Sequence, residues 1–536
     1  MSLVRNVGTI GGLTAVSRVF GFARDMLLAR ALGAGAAADA WQVAFILPNT
    51  FRRLFAEGAF SVAFVPMYAR ALGSEGGGAA GEEAAHRFAN DVLAVFIWVL
   101  LGFSALAMLA MPLLIGLLAG EFANVPGKFE LAVSLSRITF PYLMLVSLVA
   151  MLSGVLNARS RFAPGAFVPV LLNLTLIAAI GVGYWLRAQW AGDDDRIMAN
   201  ALAWGLFAAG FAQLGYMVWA TRKAGVRLEV RRPRFSPEVK RLSLLILPAT
   251  FGAGIYQISQ FVDTFFATSL PQGSLTLLKF ADRLNQMPLG IIGIALGTAI
   301  LPMLARHLQS GDHAEAQRLQ ANAVEMALLL TLPAAAALAI CAPAFTEAFF
   351  RAGKMTAADT ALMAQITMAL VAGLPAYVLV KVFQPGFFSR EDTRTPVWIA
   401  AGALLVNIAL NFYVVPRYGI VGLASATAIT ATLNVLTLYT FLQLRGWFHW
   451  TAKLTGRVLR QLVATGAMGA ALYWLTPALS AYYGGSAWER ALALSALVAA
   501  GMAVFFPVAW LIGAIDKDLV AQLRRKRPAK PVNLAP

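Results

Sequence analysis

The chain has 536 residues, of which 59% are hydrophobic and only 13% charged. Soluble domains run at roughly 45–50% apolar and about 25% charged, so a string of soluble domains is excluded and one polytopic helical membrane body is expected. A net charge of +17 would suggest nucleic acid in a soluble protein; in a membrane protein it follows from the bias of Lys and Arg toward cytoplasmic loops, and no nucleic-acid partner is expected.

A crossing needs roughly 20 mostly apolar residues. In chain order, the first apolar run, 8–32, carries Ser17, Arg18, Arg24 and Asp25. The second, 37–69, carries Asp39, Arg52, Arg53 and Glu57, with Pro48 and Asn49 expected to kink or unwind it. Runs 88–117, 131–156, 164–187 and 197–221 complete a first group of six. A second group of six follows at 239–269, 274–306, 320–347, 357–388, 396–415 and 420–443, and its second member carries Lys279, Asp282 and Arg283. Runs 457–476 and 488–514 bring the expected total to fourteen. The first residues lack a compact signal peptide with a small-residue cleavage site, so the first run is expected to stay as an uncleaved crossing.

Lys and Arg set the orientation. With both termini inside, the loops holding Arg70, Arg159, Arg306, Arg390 and Arg445, the segment 223–238 and the tail 515–536 are all basic and cytoplasmic. The opposite side is sparser in Lys and Arg and holds the acidic run Asp193, Asp194 and Asp195.

The two groups repeat one another. AFVPMYARALGSE around Pro66 matches AILPMLARHLQSG around Pro302, and ARDMLLARALG around Asp25 resembles VDTFFATSLP around Asp263. Pro141 pairs with Pro375 and Asn173 with Asn407, all at nearly one separation. The expected architecture is therefore all-α: an N-lobe over 1–222, a basic linker over 223–238, a C-lobe over 239–443, two additional helices over 444–514 and a basic tail over 515–536. Parallel repeats of this kind build transporter lobes that rock about a midplane site.

A charge near the bilayer centre costs at least ~2.5–3.5 kcal/mol, so such residues usually face a watery cavity or a partner. Ser17 and Arg24 share one helix face, and Arg18 and Asp25 stack beside them. Arginine outnumbers acid at the centre of this cluster. Its planar fork binds phosphate bidentately and keeps its charge at any relevant pH. Ser17, Arg18, Arg24, Arg52, Arg53 and Arg283 are therefore the candidate anion-binding residues, and Asp25, Asp39, Glu57 and Asp282 the candidate gate or ion-pair residues. Asp25 and Asp282 could instead serve only to position the neighbouring arginines, and Glu57 with Arg53 could be a structural pair. Asp263, Asn407, Asn411 and Thr427 form a second set. Their hard oxygens suit Na+, or Asp263 could carry a proton, although interhelical hydrogen bonding explains the same residues. Cys341 is the sole cysteine, the four histidines have no metal-ligand spacing, and no catalytic triad or nucleotide loop is present. No enzyme activity and no bound cofactor are expected.

The stretches SRVFGFARDMLLARALGAG, ADAWQVAFILPNTFRRLFAEGAFSVAFVPMYAR and ADRLNQMPLGIIGIALGTAILPMLARHL resemble the MurJ (MviN) lipid II flippase family of the multidrug/oligosaccharidyl-lipid/polysaccharide exporter superfamily. The resemblance extends over nearly the whole chain. It implies movement of undecaprenyl-pyrophosphate-linked disaccharide-pentapeptide from the inner to the outer leaflet of the bacterial cytoplasmic membrane, for peptidoglycan synthesis. It implies a cationic cavity at Arg18, Arg24 and Arg52, with Arg283 as the second-lobe counterpart, and an acidic position near the outer gate at Asp39. Ser17 and Glu57 also align with family motif positions. It implies a groove for the lipid tail along the last two helices. A monomer is expected, with membrane lipids and cell-wall synthesis proteins as candidate partners. Asn411 stands where a clear cation site would have a carboxylate, which leaves Na+ or proton coupling open. The alternatives are export of another polyprenyl-pyrophosphate oligosaccharide and a scaffold that binds lipid II without moving it.

Overall fold

The structure is a computed structural model that describes residues 3–53, 60–73, 78–190 and 194–515. Apolar runs without water must satisfy every backbone N–H and C=O internally, which favours helices. The described residues are accordingly helical, with no β-strand among them. In chain order the helices are α1 (Leu3–Leu32), α2 (Ala36–Arg52), α3 (Phe60–Gly73), α4 (Gly78–Leu109), α5 (Met111–Ala119), α6 (Lys128–Thr139), α7 (Tyr142–Ala158), α8 (Ala163–Gln189), α9 (Asp195–Lys223) and α10 (Pro237–Thr268). Then come α11 (Ser274–Pro288), α12 (Ile294–Gln309), α13 (His313–Ile340), α14 (Ala342–Phe350), α15 (Ala357–Ala372), α16 (Leu374–Phe388), α17 (Arg394–Leu444), α18 (Ala452–Ala478), α19 (Ser480–Tyr483) and α20 (Ala487–Leu511). Taking helices across tight breaks together, eight of the described segments are long and apolar enough to cross a membrane. Large apolar side chains such as Trp98, Leu109, Trp185, Trp398, Trp474 and Leu511 lie on the outside, as a lipid-facing surface requires. The protein is a polytopic all-α membrane protein.

Several runs that read as single crossings are pairs of helices. The breaks fall at Ala110, Phe140, Cys341 and Gly373, each one or two residues before a proline: Pro112, Pro141, Pro343 and Pro375. Proline cannot donate to the preceding turn and clashes with it, so the helix restarts there. In α17 the break is Gly419, whose φ of 56° and ψ of −139° interrupt an otherwise continuous helix. Residues 289–293 form a single π-helical turn between α11 and α12.

Pro48 behaves differently from the expected unwinding. The helix α2 continues through it to Arg52. The carbonyl of Ala44, which loses its donor because Pro48 has no N–H, accepts a bond from the Thr139 hydroxyl at 2.8 Å. Thr139 is fully buried at the end of α6, so the neighbouring helix replaces what the proline removes.

Two compact units are present. The first comprises Met1–Phe280, Phe349–Leu362 and Ile408–Leu423. Within it α8 packs between α1 and α9, α2 lies on α6, and α10 touches α2, α3 and α5. Part of its core is an aromatic stack of Phe60, Phe64, Phe88 and Phe96, with centroids 4.8–5.6 Å apart. The second comprises Ala281–Ala348, Met363–Asn407 and the chain from Ala424 on. Its core gathers Val378, Val382, Phe383, Leu438, Leu442 and Phe448, from α16, α17 and the turn that follows α17. There α18 packs against both α13 and α20.

Candidate functional site

Arg24 lies two turns before the end of α1 and is only 7% exposed. Its Nε and Nη2 donate to Asp25 Oδ1 at 3.0 and 2.6 Å, and its Nη1 donates to Asn173 Oδ1 at 2.9 Å. Asn173, on α8, donates in turn to the Ser17 carbonyl at 3.1 Å. The guanidinium carbon sits 5.6 Å from the Phe45 ring centroid on α2. Gly21 leaves room for this arrangement, since a Cβ there would already stand 3.4 Å from Asn173 Nδ2. One buried cation is thus held by a carboxylate, an amide and an aromatic face drawn from α1, α2 and α8.

Arg18 is exposed one and a half turns earlier on the same helix, and Ser17 is half-buried. Arg52 is half-buried at the end of α2, where its Nε donates to Asn49 Oδ1 at 3.4 Å. The Asn49 amide donates back to the Phe45 carbonyl at 2.8 Å. Arg53 follows as an exposed residue. Glu57 lies outside the described residues. Arg283 and Asp282 belong to the second unit, both half-buried, and Asp282 accepts from the Gln286 amide one turn on.

Asp39 is nearly sealed, at 2% exposed. Its Oδ2 accepts from Lys128 Nζ at 2.9 Å and from the Gly273 N–H at 2.8 Å. Its Oδ1 accepts from the Thr276 N–H at 3.1 Å and the Thr276 hydroxyl at 2.8 Å. Gly273 precedes Ser274, the first residue of α11, and Thr276 is the third residue of that helix. These are the positions whose N–H groups a helix leaves without intrahelical partners, and a capping side chain normally serves them. Gly273 has no side chain to do so, and Asp39 supplies the cap from across the structure. Glycine is required there: φ is +90° and a Cβ would stand 2.4 Å from the Ala34 carbonyl oxygen. Lys128 completes the knot, buried and stacked 3.9 Å from the Phe122 ring centroid.

A second contact closes beside it. Lys354 Nζ and Arg187 Nη2 each donate to Asp195 Oδ1 at 2.7 Å. The last carbonyls of α1 are satisfied here: Arg30 accepts from the Lys354 N–H at 3.1 Å and Ala31 from Arg187 Nη1 at 3.0 Å. Gly33 and Gly353 both have φ of +62°, and their missing Cβ atoms admit Lys354 and Arg30 carbonyl oxygens at 2.7 and 2.3 Å. Neighbouring Asp194 caps α9 by accepting from the Arg196 N–H at 2.9 Å.

The second polar set divides between the two units: Asp263 and Asn411 in the first, Asn407 and Thr427 in the second. Asn407 Nδ2 donates to the Thr430 hydroxyl at 3.3 Å, and Thr430 donates to the Ala426 and Thr427 carbonyls.

Sequence reasoning named Asp39, Arg24 and Asp25, with Asp25 as a candidate holder of the neighbouring arginine, but not the groups that hold Asp39 nor the second partner of Arg24. Asn173 was visible only as a repeat match and Asp195 only as part of an acidic run, and nothing in the sequence marked Lys128, Thr276, Arg187 or Lys354 as a partner. Gly33, Gly273 and Gly353 each stand at a sharp loop, and that is the one local signal available.

The sequence profile of the lipid II flippase MurJ family matches residues 28–491. A Rhizobium meliloti protein named "Probable lipid II flippase MurJ" is 42% identical, over 100% of this chain and 99% of its own. One of the same name from Vibrio cholerae is 35% identical over 96% of each. Among solved structures, "Lipid II flippase MurJ, inward closed conformation" superposes with a TM-score of 0.76 over 95% of this chain and 99% of its own, at 22% identity, which shows a shared fold. By the length and identity of these matches, the chain belongs to the lipid II flippase MurJ family.

Proposed function

We propose that this protein flips lipid II, the undecaprenyl-pyrophosphate-linked peptidoglycan precursor, from the inner to the outer leaflet of the cytoplasmic membrane by alternating access. The observation that carries the reading is Arg24, a buried guanidinium held on α1 by Asp25 and Asn173, in a chain related over its full length to such flippases. A pyrophosphate needs several charge-assisted donors, and Arg18, Arg24 and Arg52 supply them from α1 and α2, with Arg283 as the counterpart in the other half. Asp25 holds the Arg24 fork in the state described here, so an entering phosphate competes with that carboxylate for the same N–H groups. Ser17 and Arg53 border the site, while Asp282 positions Arg283.

In this reading the Asp39 knot and the Asp195 contact close the outer side, and the head group enters from the cytoplasm. Fourteen crossings, with both termini inside, are supported by helices over the described part of each apolar run and by paired breaks at Ala110 and Cys341 and at Phe140 and Gly373. The last two helices guide the polyprenyl tail, the protein works as a monomer without catalysis, and membrane potential biases the cycle at about 2.3 kcal/mol per charge per 100 mV. Na+ or a proton at Asp263 is the candidate coupling ion.

Depletion of the protein in cells, followed by an assay of lipid II accessibility from the outer face, tests the reading. Outer exposure should fall and return with the wild-type chain but not with Arg24→Ala. Unchanged exposure on depletion overturns the assignment. Restoration of exposure by Arg24→Ala removes Arg24 from the site.

A further inference from the structure

We propose that the adjoining ends of α18 and α20 form a binding site for the phosphate-bearing head group of an anionic membrane lipid, apart from the arginines assigned to the transported head group and at the ends of the two helices that the proposed function gives to its polyprenyl tail. Lys453, Arg457 and Arg460 follow one another at i, i+4 and i+7 along the first turns of α18, one stripe of the helix. Between this stripe and the end of α20 lies a hollow of about 580 Å³, lined by all three cations together with Gly456, Gly513 and Ile515 and, among the described residues, by no acidic side chain. Small-molecule sites generally measure about 300–1,000 Å³.

The cations are arranged rather than merely gathered. Glu325, on α13 and 3% exposed, pairs with Arg457 and fixes that side chain from behind. Gln461 donates to the Glu325 carbonyl at 3.3 Å, locking α18 to α13. Arg460 donates to the Gly513 carbonyl at 3.2 Å and ties the two helix ends together. Gly513 takes a φ of +69°, which turns the chain at the end of α20 and leaves the hollow open. At Gly456 a Cβ would meet nothing within 4 Å, so the floor is unobstructed. Among the described residues Glu325 offsets one of the three charges, which leaves two for a ligand.

The surroundings select a lipid over a free phosphate. Val463 lies one turn beyond Arg460 on the same face, Leu459 is one turn before it, and Trp510 and Leu511 end α20; all four are well exposed. A cationic hollow bordered by an exposed apolar strip offers the phosphate to the charges and the acyl chains to the strip. Basic pockets between membrane helices near the head-group level suit such lipids.

Binding of short-chain phosphatidylglycerol to the purified full-length protein tests the assignment, with short-chain phosphatidylcholine and inorganic phosphate as the other probes. The expected result is saturable phosphatidylglycerol binding that the Lys453→Ala, Arg460→Ala double variant weakens about tenfold or more, as loss of charged hydrogen bonds implies. Phosphatidylcholine binding should be weak and unchanged, and phosphate should not compete. Gly456→Glu places a carboxylate in open space within the hollow and should abolish phosphatidylglycerol binding without a fall in melting temperature. Equal binding of the two lipids by the wild type, or undiminished phosphatidylglycerol binding by either variant, overturns the site. Competition by inorganic phosphate at matching concentration overturns the lipid as its occupant.

Discussion

Asp39 and Arg24 are both charged, both almost wholly buried, and satisfied in opposite ways. Arg24 finds its carboxylate on the next residue and one further partner on α8. Asp39 finds nothing on its own helix. Its four bonds come from Lys128, Gly273 and Thr276, up to 237 residues away. A locally satisfied charge keeps its partner when helices separate; a charge satisfied only at a distance loses everything at once. On the proposed function, Arg24 therefore suits a binding residue that keeps its anchor, and Asp39 suits a latch between distant segments.

The largest effect should come from breaking the latch. Asp39→Ala strands the Lys128 ammonium without its carboxylate and removes the cap of α11. Stranding one member of a buried pair costs about 3–5 kcal/mol, against an arrangement that includes Gly273 and Thr276. The melting temperature should fall, and a cysteine placed at Ala34 in a Cys341→Ser background should become reactive to a membrane-impermeant reagent. Adding Lys128→Met removes the stranded charge and should restore part of the stability. Equal stability of the single and double variants would sever Lys128 from the latch.

The glycine contacts beside the latch come next. Gly353→Ala combines a positive φ with a Cβ 2.3 Å from the Arg30 carbonyl oxygen, and strain plus overlap amount to about 3 kcal/mol. Gly225 shares a positive φ, +84°, but a Cβ there meets nothing within 4 Å. Gly225→Ala should therefore cost only the backbone strain, about 1–2 kcal/mol. Melting temperatures of the two variants separate overlap from strain, and identical losses would show that the close approach of Gly353 to α1 contributes nothing.

The contrast also explains what could be read from the sequence. Asp25 beside Arg24 is a local pair, and helical periodicity alone brings Ser17, Arg18, Arg24 and Asp25 to adjoining faces. The apolar runs gave the positions of α1, α8, α9 and α20 for the same reason: hydrophobic length is a local property. Asp39 was legible as an unusual buried carboxylate, yet its partners were not, because pairing between distant segments leaves no periodic trace. The helix breaks at Ala110, Phe140, Cys341 and Gly373 were signalled by the prolines that follow them, but hydropathy averaged over 20 residues passes across such a break. Thr139 shows the limit from the other side. Pro48 marked a lost hydrogen bond in α2, and only the packing of α6 reveals that a threonine hydroxyl replaces it.

Asn173→Ala tests the local half of the comparison. It leaves Arg24 its carboxylate but removes the acceptor from Nη1 and the tie to the Ser17 carbonyl. Losing one partner of a buried charged group is worth about 1.5–2 kcal/mol, less than the latch because Asp25 remains. Flipping should weaken through misplacement of the guanidinium, and Asn173→Asp should not rescue it, since a second carboxylate would hold the fork more tightly against an incoming phosphate. Rescue by Asp would mean that charge alone, not the freedom of Arg24 to exchange partners, governs transport.

The smallest effect lies in a surface pair of the second unit that titrates. Asp392, in the turn before α17, is partly buried, which opposes ionisation. The Thr395 backbone N–H at 3.0 Å, the Thr395 hydroxyl and the Arg445 guanidinium outweigh that, and its pKa falls to about 2. An unfolded aspartate titrates near 3.9. The folded value is the lower one, so the stabilisation is complete above about pH 4 and is lost as pH falls toward 2. Asp392→Asn removes that dependence while keeping the side chain's shape. The wild-type melting temperature should drop more steeply than the variant's between pH 4 and pH 2.5, and the two should run parallel above pH 5. Parallel curves throughout would show that Arg445 holds Asp392 no better in the folded chain than in the unfolded one, as exposed pairs commonly do, and would confine the energetics of charge in this protein to its buried residues.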